Sequence, residues 1–197
     1  MTNSSSLPRD FYAAATLTVA EALLGKVLVH SSSEGAVAGT IVETEAYIGQ
    51  DDPACHAATG LTKRNAPMYG PPGKAYIYLN YGVHFLLNAV TEKEGFPAAV
   101  LIRALEPLSG VNLMRRRRII KNRDIALNDL CRGPGNLTRA LGITLTENGL
   151  DLTGRRLRIE NRGIALGTVA HGPRVGIRVA RDRPWRCWID GHPCVSR

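Results

Sequence analysis

The apolar pattern opens with helical spacing and then turns to strands. Residues 18–25, TVAEALLG, read as a short helix with Thr18 and Glu21 placed as a capping box and Gly25 as its stop. KVLVH and AVAGTIVETEAYI then read as paired strands turning through residues 31–35. KAYIYLNYGVHFLLNAV reads as a hairpin with aromatic and β-branched arms around Asn80, Tyr81 and Gly82, and AAVLIRAL as a buried strand. Helical signals return at SGVNLMRRRRIIKN and PGNLTRALG, before late strands at RLRIEN, RVGIRVA and RCWID. The chain has no internal repeat. Strands mixed with helices, without regular βαβ alternation, predict a single α+β domain over residues 7–197, after a flexible start at 1–6.

Two places break the ordinary pattern. Period-two alternation puts Ile41, Glu43, Glu45 and Tyr47 on one strand face, where an unpaired buried carboxylate would cost several kcal/mol. Either the glutamates are charges on a half-exposed strand, or one of them does chemistry. The polar loop GQDDPACHA follows and can carry His56 back toward the end of the same strand. The hairpin supplies the second anomaly: Tyr76 and Tyr78 share a face, and its tip offers Tyr81 where turns usually carry small polar residues. An aromatic side chain there either folds back on the sheet or serves as a wedge between bases.

Composition narrows the setting. With 197 residues, 44% hydrophobic and 21% charged, the chain suits one soluble globular domain. No stretch approaches the roughly 18 consecutive apolar residues of a membrane span, and MTNSSSLPRD lacks the layout of a secretory signal, so a cytoplasmic location away from membranes is expected. Cys55, Cys131, Cys187 and Cys194 show no CxxC spacing, and Cys187, His192 and Cys194 lack a fourth ligand; buried free thiols and no metal are expected.

Charge points to the partner. Lys+Arg 25 against Asp+Glu 17 gives a net charge of +8, which favours a polyanion. Arg115 to Arg118, inside MRRRRIIKNR, form either a DNA-gripping run or a solvated helix face. A non-catalytic nucleic-acid module would use the tyrosines as stacking platforms. A glycoside hydrolase would need Glu43 as a second carboxylate beside Glu45, and gains little from the positive charge.

GTIVETEAYIGQDDPACHA, KRNAPMYGPPGKAYIYLNYGVHFLLNAV, AAVLIRALEPLSG, LCRGPGNLTRALGI and RPWRCWIDGHPCVS resemble successive motifs of the alkyladenine (N-methylpurine, 3-methyladenine) DNA glycosylase family, in the family's order. The resemblance covers about residues 7–196. It implies a curved, mainly antiparallel sheet flanked by helices, with a protruding hairpin that enters the DNA minor groove. By the same resemblance, Glu45 activates the water that attacks the sugar C1′, and Arg103 positions that glutamate and its water. Tyr47, His56 and Tyr78 match walls that sandwich the flipped base. The main chain at Ala54 and His56 matches its edge-reading contacts, and Asn88 matches the asparagine that disfavours guanine's exocyclic amino group. Tyr81 matches the residue that fills the gap in the duplex, and Thr62, Arg64 and Asn65 match a DNA-backbone-contacting loop.

The implied partner is double-stranded DNA carrying damaged purines of the 3-methyladenine, 7-methylguanine, hypoxanthine and ethenoadenine class. The protein is expected to act as a monomer at the nucleoid, without a cofactor. No nucleophilic lysine is implied, so a monofunctional hydrolase that leaves an abasic site is expected. Lys63, Ala66 and Asn80 depart from the residues usual in the family, which bears on DNA grip and pocket shape.

Overall fold

One long central strand organises the fold and carries both glutamates. The structure, a computed structural model, describes residues 5–119 and 125–196. In chain order the elements are β1 (Ser5–Ser6), α1 (Arg9–Ala13), α2 (Thr16–Ala22), β2 (Val27–Ser32), β3 (Gly35–Ile48), β4 (Ala75–Asn80), β5 (His84–Val90), β6 (Ala98–Ser109), α3 (Val111–Arg118), α4 (Pro134–Leu141), β7 (Leu157–Asn161), β8 (Val169–Gly172) and β9 (Arg186–Ile189). The strands form one curled antiparallel sheet in the order β1-β7-β2-β3-β6-β5-β4; β9 pairs with the far half of β3, and β8 with β9. The main core joins Leu23 and Leu24, Ile41 and Ala46 of β3, Ile102 and Leu105 of β6, and Leu137 and Leu141 of α4. Each such Leu or Ile contributes about 1.5–3 kcal/mol by leaving water. Strand β1 engages Ser5 and Ser6 of the expected flexible start; residues 1–4 lie outside the described part.

Register shifts in the β3–β6 ladder decide which way the glutamates face. Ile41 pairs with Leu105, Glu43 with Ala104 and Thr44 with Ile102, so Val42 is left unpaired on β3 and Arg103 on β6. Strict alternation grouped Ile41 with the glutamates, but the shift at Val42 separates them. Ile41 and Ala46 face the main core, while Val42 joins Ala104 and Cys194 in a cluster of its own. Bulges gather beside functional sites because they re-aim a side chain. Here they aim Arg103 at the two glutamates.

Strands β4 and β5 form the expected hairpin. Its tip is closed by Val83 N–H donating to Asn80 C=O at 3.0 Å. Tyr81 (φ 49°) and Gly82 (φ 69°) both lie in the left-handed region, as a type I′ turn requires. A tyrosine there costs about 1–2 kcal/mol.

Three members of the arginine run are engaged within the fold. Arg115 donates to the Ile125 carbonyl. Arg117 caps the carboxyl end of α4 through the Leu141 carbonyl (2.7 Å) and reaches Glu34 (2.7 Å). Arg118 is buried against Asn136 and the Asp129 carbonyl. Arg116 is the exposed member. Helix α3 ends at Arg118 and Ile119, at ψ 123°, has left the helical backbone, whereas the expected helix ran on through residues 120–122, which lie outside the described residues.

Two local expectations are corrected. Helix α2 starts at Thr16 behind Ala15, so Thr18 sits inside it and forms no capping box; the Thr16 amide is satisfied instead by Glu92 across the chain at 2.7 Å. RVGIRVA is not a strand; β8 lies just before it, and residues 174–180 run as an irregular segment. All four cysteines are free and buried. Among the described residues no helix is long and apolar enough to cross a membrane.

Candidate active site

A cavity of about 390 Å³ opens between the hairpin and the end of β3. Tyr47 comes from β3, Tyr76 and Tyr78 from β4, Asn88 from β5, Arg103 from β6, and His56 from a 3-10 turn at His56–Thr59. Val175, Gly176 and Ile177 of the irregular segment complete the wall. The volume suits a single small ligand. The rings of His56 and Tyr78 meet edge to face at 4.4 Å, and His56 Nδ1 shares a hydrogen bond with the Tyr76 hydroxyl at 2.8 Å. Burial, followed by the Arg64 charge, lowers the His56 pKa to about 4, so its imidazole is neutral at pH 7. Burial likewise raises the Tyr78 phenol to about 12.

Glu45 lies immediately behind this wall, fully buried at 0% exposure. It contacts three of the lining residues. Its Oε1 accepts from the Val175 amide at 2.6 Å and pairs with Arg103 Nη1 at 3.2 Å, and its Oε2 accepts from the Tyr47 hydroxyl at 2.8 Å. Burial raises its pKa above the ordinary value, while Arg103, the Val175 amide and the Tyr47 hydroxyl pull the other way. Burial and then Glu45 raise the Tyr47 pKa, which keeps its phenol a donor. A carboxylate held by three donors against an aromatic cavity can take a proton from water and stabilise a developing cation.

Glu43 has a different task. It is also fully buried, but its oxygens are taken by Arg103 Nε (3.0 Å), Arg186 Nε (2.7 Å), and the Ser196 hydroxyl (2.8 Å) and amide (2.7 Å). It anchors Arg103 and Ser196, whereas Glu45 also holds Tyr47 and Val175 of the cavity wall. With its oxygens held by these four donors, Glu43 offers the cavity no free second carboxylate.

The loop leading into the cavity is knitted by Asn65, whose amide donates to the His56 and Gly60 carbonyls, both at 2.8 Å, and accepts from the Thr62 amide at 2.7 Å. Its side chain is therefore spent inside the loop, while Thr62, Lys63, Arg64 and Ala66 are exposed. The Arg64 guanidinium stands 5.2 Å over the Tyr78 ring. Ala54 lines the cavity, with its amide on Asp52 Oδ1 at 3.2 Å. Asn88 is buried and donates to the Tyr76 carbonyl at 3.0 Å. Asn80 lies at the cavity edge, and Tyr81 projects from the tip at 88% exposure rather than folding back.

Sequence reasoning brought forward Glu45, Tyr47, His56, Tyr78, Asn88 and Arg103, and the structure gathers all of them about one cavity. It missed Tyr76, Val175 and the Asp52–Arg174 ion pair behind Tyr47. Tyr76 was visible on the hairpin face beside Tyr78. Val175 acts through its amide, which leaves no mark in side-chain identity.

The chain is similar to known proteins over nearly its whole length. A family model described as Methylpurine-DNA glycosylase (MPG) matches residues 10–193. A protein of Methanocella arvoryzae is 48% identical over 97% of this chain and 96% of its own length. Proteins of Prosthecochloris aestuarii and Burkholderia lata are 47% and 45% identical, each over 96% of this chain and 90% of their own lengths. All three are provisionally named 3-methyladenine DNA glycosylases. The chain belongs to the methylpurine-DNA glycosylase family.

Proposed function

We propose that the protein excises damaged purines of the 3-methyladenine, 7-methylguanine, hypoxanthine and ethenoadenine class from duplex DNA by hydrolysing the N-glycosidic bond, leaving an abasic site. It acts as a monomer and without a cofactor. The observation that carries this reading is the placement of Glu45, buried against the cavity and held by the Tyr47 hydroxyl and the Val175 amide.

The flipped nucleoside enters the cavity with its base between Tyr47 on one side and His56 and Tyr78 on the other. A neutral His56 matters, because a protonated ring would repel the cationic alkylated purine that the tyrosine faces attract. The main chain at Ala54 and His56 reads the base edge. Asn88, fixed by the Tyr76 carbonyl, disfavours a guanine amino group. As the bond to C1′ lengthens, positive charge grows on the sugar and ionised Glu45 stabilises it while taking a proton from the attacking water. Arg103 keeps Glu45 oriented and favours its ionised form. Tyr81 fills the space that the nucleotide vacates, and a damaged or mispaired base is the least costly to unstack. Thr62, Arg64 and the loop tied by Asn65 meet the DNA backbone.

The test is to incubate the purified protein with duplexes carrying each lesion and to cleave the abasic products with alkali. The expected result is strand breakage at lesions, lost by at least about 100-fold in Glu45→Gln, the low end for a general base, with lesion binding retained. Base release unaffected by Glu45→Gln would refute the assignment.

A further inference from the structure

Asp52 and Arg174 form a second buried ion pair that no step above uses. Both are buried, and Arg174 Nη1 and Nη2 donate to the two Asp52 oxygens at 2.5 and 2.7 Å. A buried pair of this kind rarely stabilises a fold better than well-packed apolar residues would. Its position suggests another purpose, because each partner begins a segment of the cavity wall. Asp52 Oδ1 holds the Ala54 amide, two residues before His56. Arg174 directly precedes Val175, whose amide holds Glu45.

Arg174 makes two further contacts with the same strand. Its Nη1 donates at 2.9 Å to the carbonyl of Ala46, the residue between Glu45 and Tyr47. Its guanidinium stands 4.7 Å from the Tyr47 ring centroid and 5.1 Å from that of Trp185, which Arg183 covers in turn at 4.6 Å. One cation thus ties two loops of the cavity to the strand bearing the carboxylate and backs the Tyr47 ring. The bidentate fork fixes orientation as well as distance, which a lysine would not do.

We propose that the Asp52–Arg174 pair is a positioning unit for base excision, setting the Val175 amide against Glu45 and the Tyr47 ring against the base without touching substrate. The inference rests on the reading of Glu45 as the residue that activates water. Its test must therefore separate placement of Glu45 from integrity of the fold. Arg174→Lys keeps the charge and removes the fork; Asp52→Asn is isosteric and keeps an acceptor for the Ala54 amide.

Single-turnover release of 7-methylguanine and hypoxanthine from duplex DNA is measured for the intact chain across pH, with thermal melting and affinity for an abasic duplex in parallel. The expected result for Arg174→Lys is a rate about 10- to 100-fold lower, the scale of a misplacement near 1 Å, with affinity changed less than about twofold. Around Glu45 stand Arg103 from β6, Tyr47 and Glu43 from its own strand, and the Val175 amide. Weakening the last of these moves the acid limb of the rate to higher pH. In a Glu45→Gln background, Arg174→Lys should lower the residual rate by clearly less than in wild type, since of the two groups it positions only the Tyr47 ring remains.

A folded Arg174→Lys protein with wild-type rate and acid limb would overturn the proposal, as would an equal loss in both backgrounds. If Arg174→Lys does not fold, Asp52→Asn carries the same comparisons. Wild-type protein that releases no base, or Glu45→Gln that releases it normally, overturns the underlying reading. Dependence on Glu45 with neither pair variant affected overturns the positioning unit alone.

Discussion

Tyr47→Phe removes one oxygen and leaves the ring, so the wall of the cavity and the Arg174 stack persist while Glu45 Oε2 loses its donor. A hydrogen bond to a charged, buried acceptor contributes about 1.5–3 kcal/mol. Glu45 keeps the Val175 amide and Arg103 on Oε1, which places the loss at the lower end. The bond favours the ionised carboxylate, so its removal raises further a pKa that burial already raises. Each 1.4 kcal/mol, roughly, corresponds to one pH unit. The acid limb of single-turnover excision should therefore move up by about one unit, and below that limb the rate should fall by about tenfold. Stability shows the same sign: the folded variant should be less stable than wild type while Glu45 is ionised, and the gap should narrow as falling pH protonates Glu45 in both. Urea unfolding and excision kinetics over the same pH range measure both effects. Superimposable rate profiles with an unchanged stability gap would show that the Tyr47 hydroxyl does not hold the carboxylate.

Two further outcomes are expected. His56 titrates near 4 in the fold against an ordinary value of 6.5, so its contribution is complete above about 6.5 and is lost as pH falls through about 4; urea unfolding of His56→Phe should show a flatter pH dependence in that window. Arg117→Gln should lower stability by about 1–3 kcal/mol by uncapping α4. It should leave the salt slope of DNA binding unchanged, where a lost phosphate contact would reduce it by about one.

The extended elements were legible because their patterns are local. The arms of β4 and β5 carry their own β-branched and aromatic signal, and Tyr-Gly between them marks the turn. Period two also set the two glutamates and Tyr47 on one face. It failed at Ile41, because an unpaired Val42 opposite an unpaired Arg103 is a property of two strands distant in sequence. RVGIRVA alternates like a strand but finds no ladder partner; Arg174 is drawn inward by Asp52, which nothing within that stretch could indicate. The arginine run misleads for a related reason: composition counts charges, while Glu34, the Leu141 carbonyl and Asn136, contributed by other elements, decide which of them face water. The capping box at Thr18 was displaced by Glu92, a partner more than seventy positions away in the chain.

The tip of the β4–β5 hairpin has a kinetic consequence. Tyr81 is held out by a closed turn whose two central residues already have the backbone angles that the turn demands. The restriction of that backbone is incurred once, when the chain folds, and is not repeated at each encounter with a duplex. If Tyr81 is the wedge proposed above, it would sample many base steps during a single sliding event, with its dwell time set by the resistance of each step to opening rather than by reorganisation of the protein.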